Sequence, residues 1–209
     1  MARAPSFCGV ILAAGESSRM GRDKALLSWP PASGGTANGT ETLLSATIEM
    51  LSAFTQMVIV VAGKNAEQIT PVVYAKGAFI VVNKTPERGQ FSSLQVGLQE
   101  VLNHGRDAAI VALVDRPPAR PETLTKLCGA FTDAYDQDKW AVVPEYQGKH
   151  GHPILIGREM MTSFLAAPAG STARDVEHSL QARIVYVPVD DPNIAMNVNT
   201  PEEYAKLTL

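Results

Sequence analysis

Apolar and polar positions along the chain alternate between two kinds of segment. Phe7–Ala13, Met57–Ala62, Ala78–Val82, Ala108–Val114, Trp140–Pro144 and Ile184–Val187 are apolar on nearly every residue. Such runs read as strands covered on both faces. Between them the apolar residues fall at helical spacing: Leu44, Ile48 and Leu51, then Phe91, Leu94, Leu98 and Val101. Pro121 stands at a first helical position, followed by Leu124, Leu127, Cys128 and Phe131. The alternation predicts an α/β fold with three α/β/α layers around a mostly parallel sheet. Ligands on such sheets bind beyond the carboxyl ends of the strands, so chemistry is expected just after each apolar run.

Two stretches break the rhythm. Pro30–Gly39 (PPASGGTANG) is a low-complexity loop that carries no chemistry of its own. Gly148–Pro153 (GKHGHP) interrupts the sheet pattern before Ile154–Ile156 and reads as a lid or substrate loop. There is no internal repeat and no coiled coil. With 209 residues, the chain is expected to form a single domain over 1–209.

Composition narrows the classes further. A net charge of −3 argues against a nucleic-acid-binding surface, although a few local basic residues suffice for a nucleotide. The two cysteines, Cys8 and Cys128, lie far apart without a CxxC, which argues against a disulfide framework or structural zinc. Both read as small buried hydrophobes. No signal-like N-terminus and no apolar run near 18 residues is visible, so the cytoplasm is the expected compartment and no membrane association is expected.

The richest chemistry lies in CGVILAAGESSRMGRDK, Cys8 to Lys24. A buried strand here runs into a loop of Gly15, two serines, Arg19, Gly21 and Lys24. Glycines let a backbone approach polyphosphate, and Arg and Lys supply countercharge. Five residues separate Gly15 from Gly21 and Arg22 follows, so the Walker pattern fails. Ala13 stands where the dinucleotide fingerprint needs glycine, so that fails too.

Three further motifs fall beyond strand ends. In ALVDRPPARP, Asp115 terminates a strand, a position suited to Mg²⁺ shared with substrate phosphates, or to a simple turn before the next helix. In AMNVNTPEEY, Asn197 and Asn199 alternate about Val198 and face the same way if extended; their carbonyl oxygens suit a hard metal or a nucleotide. Thr200-Pro201-Glu202-Glu203 reads as a helix start. In NKTPERGQFSSLQVGL, Asn83 ends a strand, and Gly89, Ser92 and Ser93 begin a helix whose N-terminus suits an anion; capping by Ser92 or Ser93 fits equally. His150 and His152 lack a third His or Cys nearby, which disfavours zinc. His104 and His178 read as surface residues.

Together these segments resemble the MobA/MocA-like nucleotidyltransferases, which make molybdenum-cofactor dinucleotides. LAAGESSRMGRDKALL resembles the family's LAAGxSxRMGxxKxLL signature, LVDRPPARPETL its GDQPxxxPxTL, and GQFSSLQVGL its GMxxSLxxGL. HGHPILI resembles RGHPxLF, and NVNTPEEY resembles DIDTPEDY. The resemblance covers most of the chain in order. It implies a Rossmann-like fold of the nucleotide-diphospho-sugar transferase type. It implies that Leu12, Ala13, Ala14, Gly15 and Arg19 hold the nucleotide, with Asn83, Ser92 and Ser93 near base and ribose. Lys24 would bridge the α-phosphate and the transition-state charge, and Lys24, Arg19 and Asp115 would carry catalysis. Asp115 and one of Asn199 and Asn197, Asn199 preferred, would hold Mg²⁺. Arg116, His150, Gly151 and His152, with Pro153, would face the acceptor.

The implied reaction is transfer of a nucleotide from a nucleoside triphosphate to molybdopterin or another phosphorylated small acceptor. Transient contact with a molybdoenzyme is implied as well. LAAG resembles the cytidylyl branch and so favours CTP over the LAGG-bearing guanylyl branch, while the Asn-x-Asn ending points to GTP. Arg116 and His150 depart from the family's Gln and Arg, and both terminal aspartates are asparagines here. A sugar-phosphate nucleotidyltransferase and a non-catalytic cofactor-delivery protein remain as alternative readings.

Overall fold

A computed structural model describes residues 5–30, 41–135 and 137–207. The predicted low-complexity loop, except for Pro30, lies outside the described residues. Eight strands form one sheet: β1 (Phe7–Leu12), β2 (Val58–Ala62), β3 (Phe79–Val82), β4 (Ala108–Leu113), β5 (Ala141–Tyr146), β6 (Lys149–His150), β7 (Ile154–Gly157) and β8 (Ile184–Pro188). The order is β3-β2-β1-β4-β7-β5-β6, with β8 on β5. β3, β2, β1 and β4 run parallel, β7 is antiparallel to both β4 and β5, and β8 is parallel to β5. The carboxyl ends of β1–β5 and β8 therefore share one end of the sheet with the start of β7.

The longer helices are α1 (Leu43–Ser52), α2 (Ala66–Ala75), α3 (Gln90–Asn103), α4 (Pro121–Tyr135) and α5 (Arg158–Ala166); α6 (Ala173–Ser179) and α7 (Pro201–Ala205) are short. The period-two alternation of strand side chains divides them between the two faces. Ile11, Val58, Val60 and Ile110 meet α1, α2 and α4 on one face, through Ile48, Ile69 and Leu127. Val10, Ile59, Val61 and Val111 meet α3 and α5 on the other, through Leu98 and Phe164. The α/β/α expectation holds. Gly97 explains how closely α3 lies on the sheet: a Cβ there would stand 2.7 Å from Val10 and 2.9 Å from Val61.

A third, smaller cluster of Met20, Leu27, Leu43 and Val198 lies beneath the loop after β1. It joins residues near both ends of the sequence. Of the cysteines, Cys8 is buried and Cys128 only half-buried. Burial pushes the Cys8 thiol up to about 12, which leaves it protonated and inert. His104 and His178 are exposed, as expected.

Candidate functional site

The loop after β1 is held at both ends. Asn65, at the start of α2, donates from Nδ2 to the Ala13 carbonyl at 2.9 Å and to Asp23 Oδ2 at 2.6 Å. Its Oδ1 accepts from the Gly63 N–H at 3.1 Å. Asp23 Oδ1 in turn accepts from the Ala25 N–H at 2.8 Å and caps the short 3₁₀ turn Lys24–Leu26. Between these anchors, Ser17 and Gly21 have positive φ and bracket the turn Ser18–Met20. Buried Met20 pins that turn into the small third cluster, while Arg19 beside it is exposed. Ser17 Oγ accepts from the Lys24 N–H at 3.1 Å, so the loop folds back onto its own lysine. Ala14 packs against Gly63: a Cβ at Gly63 would stand 2.7 Å from the Ala14 carbonyl oxygen.

Asn65 and Asp23 were not singled out in the sequence. The available signal was a Gly-x-Asn directly beyond the second strand, at the sheet end where sites form and at a helix-cap position.

Three segments converge beside this loop. Lys24 Nζ donates to Asn199 Oδ1 at 2.8 Å and lies 3.5 Å from Asp115 Oδ2. The Val198 N–H donates to the Asp115 carbonyl at 2.8 Å, and its side chain is buried in the third cluster. That anchorage turns Asn199 toward Lys24. Glu203 Oε2 accepts from the Asn199 N–H at 2.7 Å, and Thr200 caps α7 as the sequence predicts. Asn197, on the other side of Val198, is exposed. The two asparagines do not share an environment, because the buried valine between them holds only one of them against the lysine.

A cavity of about 260 Å³ opens beside these groups, lined among others by Leu12, Gly15, Lys24, Gly89, Ser93 and Asp115. Its far wall is the start of α3, which begins at Gln90. Neither Ser92 nor Ser93 caps that helix. Buried Asn83 donates to Ser92 Oγ at 2.9 Å and to Ser93 Oγ at 3.0 Å, and its Oδ1 accepts from the Thr85 N–H at 2.9 Å. Asn83 thus braces the turn from within, and Ser93 lines the cavity.

The GKHGHP segment, which reads in sequence as a lid or substrate loop, is a packed turn. Lys149–His150 pair with β5, the Gly151 N–H donates to the Pro144 carbonyl at 2.9 Å, and the His152 N–H donates to the Ile194 carbonyl at 3.1 Å. Gly151 has no room for a side chain: a Cβ would stand 2.2 Å from the Ile194 carbonyl oxygen. Arg116 reaches the same carbonyl through Nη1. Arg116 Nε and His152 Nδ1 are buried and lack hydrogen-bond partners. Burial, reinforced by the Arg116 charge, pushes His152 down to about 3. Arg116, Gly151 and His152 therefore gather around Ile194. His150 stands apart, stacked on Tyr186 at 4.1 Å and 3.4 Å from Glu145.

Among the described residues, no group of three or more His, Cys, Asp and Glu forms a cage for a metal ion. The donors at Lys24 are one carboxylate and one amide oxygen. This set fits a hard divalent ion completed by water and substrate phosphates, in the manner of Mg²⁺. Among the described residues, no helix is long and apolar enough to cross a membrane.

The chain as a whole is similar to known proteins. The chain is 31% identical to a molybdenum cofactor guanylyltransferase of Xanthomonas euvesicatoria, over 96% of this chain and 94% of that one. It is 24% identical to the molybdenum cofactor cytidylyltransferase of Escherichia coli, over 93% and 92%. A crystal structure of a Mycobacterium tuberculosis protein matches with a TM-score of 0.77 at 25% identity, over 97% of each chain. A manganese complex from the same organism matches at 0.72 and 23%, over 97% of each. The MobA-like NTP transferase domain itself matches residues 9–184. That match spans most of the chain, and the chain belongs to the MobA-like NTP transferase family of nucleotidyltransferases.

Proposed function

We propose that this nucleotidyltransferase transfers CMP from CTP to the terminal phosphate of molybdopterin cofactor and releases pyrophosphate. The observation that carries the reading is the meeting of Lys24, Asp115 and Asn199 at one edge of the cavity behind the LAAG loop. The relatives named as molybdenum cofactor cytidylyl- and guanylyltransferases support the acceptor class. Ala14 supports CTP. The Asn-x-Asn ending and the 31% identical guanylyltransferase favour GTP as the second reading.

In this mechanism an acceptor phosphate oxygen attacks the nucleotide α-phosphorus. A new O–P bond forms as the α–β bridging bond breaks, and its electron pair leaves with pyrophosphate. The acceptor phosphate is already ionised near neutral pH, so no general base is needed. Leu12 to Gly15 cradle the nucleotide, Asn83 holds Ser92 and Ser93 beside base and ribose, and Lys24 and Arg19 neutralise charge on the phosphates. Asp115 and Asn199 would hold Mg²⁺, which supplies Lewis-acid charge neutralisation when bound. Arg116, Gly151 and His152 form the acceptor side. His152 serves there as a neutral group, and His150 meets the acceptor only at the rim.

Thermal shifts with CTP, GTP, UTP and ATP, each with and without Mg²⁺, test the reading together with pyrophosphate release. A site occupied at a hundred times its dissociation constant stabilises the fold by about 2.7 kcal/mol. CTP is expected to shift the protein most. A larger shift with GTP selects the second reading. Binding without pyrophosphate release in the presence of cofactor would leave a delivery protein. No shift with any nucleotide at millimolar concentration would sink the site assignment.

A further inference from the structure

Asp191 has no solvent exposure, and none of the sequence motifs contains it. Its Oδ2 accepts from the Arg120 N–H at 2.7 Å and from Thr123 Oγ1 at 2.9 Å. Its Oδ1 accepts from the Asn193 N–H at 3.1 Å, with Arg120 Nε 3.9 Å away. Asn193 continues the link, donating from Nδ2 to the Pro118 carbonyl at 2.9 Å. One carboxylate thus joins two segments. The first is the loop from Asp115 into α4. The second is the turn Pro192–Ala195, which leads to Val198 and Asn199.

A buried carboxylate is costly unless hydrogen bonds and charge compensate it. Capping the start of α4 explains the Oδ2 bonds, and a short neutral side chain would do that as well. The Oδ1 bond to the Asn193 N–H caps Asp191's own turn, and capping does not explain why one carboxylate serves both turns or why Asn193 also reaches Pro118. The Oδ2 bonds and the Asn193 bond to Pro118 link the Asp115 loop to the Asn199 segment.

We infer that Asp191 and Asn193 are positioning residues that lock the segment carrying Asn199 to the loop carrying Asp115, and so set the spacing at which those two side chains meet Lys24. The inference rests on the proposed reading of Asp115 and Asn199 as metal ligands.

Mn²⁺ binding, followed by electron paramagnetic resonance with CTP or GTP present, tests it without relying on turnover. Asp191→Asn has one oxygen for two backbone donors, so it loses either the Arg120 N–H bond to the Asp115 loop or the Asn193 N–H bond that holds the Pro192–Ala195 turn. Asn193→Asp sets a carboxylate against the Pro118 carbonyl and leaves the α4 cap intact, so it serves if the first variant fails to fold. Thr123→Val is the structural control: it removes one of the two Oδ2 bonds and leaves the Arg120 N–H bond, the Asn193 cap and the Asn193–Pro118 bond in place. Loss of a direct outer partner of a metal ligand typically weakens metal binding about 10- to 100-fold; Asp191 and Asn193 act one step further out, through the backbone, and a loss of about tenfold, the lower end of that range, is the expected effect. That loss is expected in Asp191→Asn and Asn193→Asp. Thr123→Val is expected to lower Tm while binding Mn²⁺ as the wild type does. Wild-type Mn²⁺ affinity in both linking variants, or equal weakening in Thr123→Val, overturns the inference and leaves the metal reading standing. Failure of the wild type to take up Mn²⁺ with either nucleotide overturns the metal reading and the inference with it.

Discussion

Lys24 and Asn199 lie 175 positions apart in sequence, and the Lys24 ammonium donates to the Asn199 amide oxygen at 2.8 Å. Asp115 stands 3.5 Å from the same ammonium, and the Lys24 side chain is largely shielded from water. A cation and two oxygen groups held this way form a prearranged field for phosphates. Lys24→Ala and Asp115→Ala are each expected to lower nucleotidyl transfer by about a hundredfold or more while the protein stays folded. Pyrophosphate release alongside far-ultraviolet circular dichroism checks this. Near-wild-type turnover in either variant would count decisively against the proposed mechanism.

The two terminal asparagines are expected to differ. Asn199 faces Lys24, whereas Asn197 is exposed. Asn199→Ala should therefore lose roughly as much activity as removal of one aimed group in a preorganised site, about a hundredfold. Asn197→Ala should stay within a few-fold of wild type, roughly the effect of a surface change. Steady-state kinetics on the pair decide between them, and the opposite ranking would transfer the role to Asn197.

Asn65 holds both ends of the loop beyond β1 through Ala13 and Asp23, and its Oδ1 accepts from Gly63. Asn65→Ala leaves those partners without it. Expected is a stability loss of about 1–3 kcal/mol, together with weaker nucleotide binding because the loop loses its anchors. Urea denaturation and nucleotide titration measure the two effects separately. Unchanged nucleotide affinity at reduced stability would confine Asn65 to the fold.

His152 makes the fold sensitive to acid. Burial and the Arg116 charge hold it down to about 3, against 6.5 for a free histidine. Between those values the unfolded chain binds a proton that the folded chain refuses. Stability from this residue is present above pH 6.5 and is lost as pH falls toward 3, by at most about 1.4 kcal/mol per pH unit. Urea midpoints at pH 7.5, 5.5 and 4.5 should fall progressively, and His152→Gln should flatten the slope. An identical slope in the variant would show that other groups set the acid response.

Much of this site is legible in the one-dimensional pattern. The strands are apolar on nearly every residue because helices cover both faces of the sheet, so their ends, and the loops beyond them, can be located by reading hydrophobicity alone. Asp115 was visible because it stands just after such a run, and Lys24 because it closes the loop of small and basic residues that follows another. Asn65, Asp23 and Asp191 were not. Each acts through a hydrogen bond to a distant segment, and a polar residue in a loop carries no mark of which segment it will meet. The GKHGHP segment reads in sequence as a lid or substrate loop, and only the structure shows that the Ile194 backbone presses against Gly151 and leaves no room for a side chain.

The sequence by itself determined the layered sheet, the loop of small and basic residues beyond β1, and the lysine and carboxylate available to it. Local chemistry suffices for these, because periodicity and turn composition act within a few residues. Only the tertiary structure decided that Asn199 meets Lys24 while Asn197 faces solvent, that His152 is held neutral beside Arg116, and that buried Asp191 joins the two segments bearing Asp115 and Asn199. Those outcomes depend on burial of Val198 against Met20, Leu27 and Leu43 and on hydrogen bonds closed across long loops. Packing is collective: it places a side chain by what surrounds it in space, which no short stretch of sequence encodes.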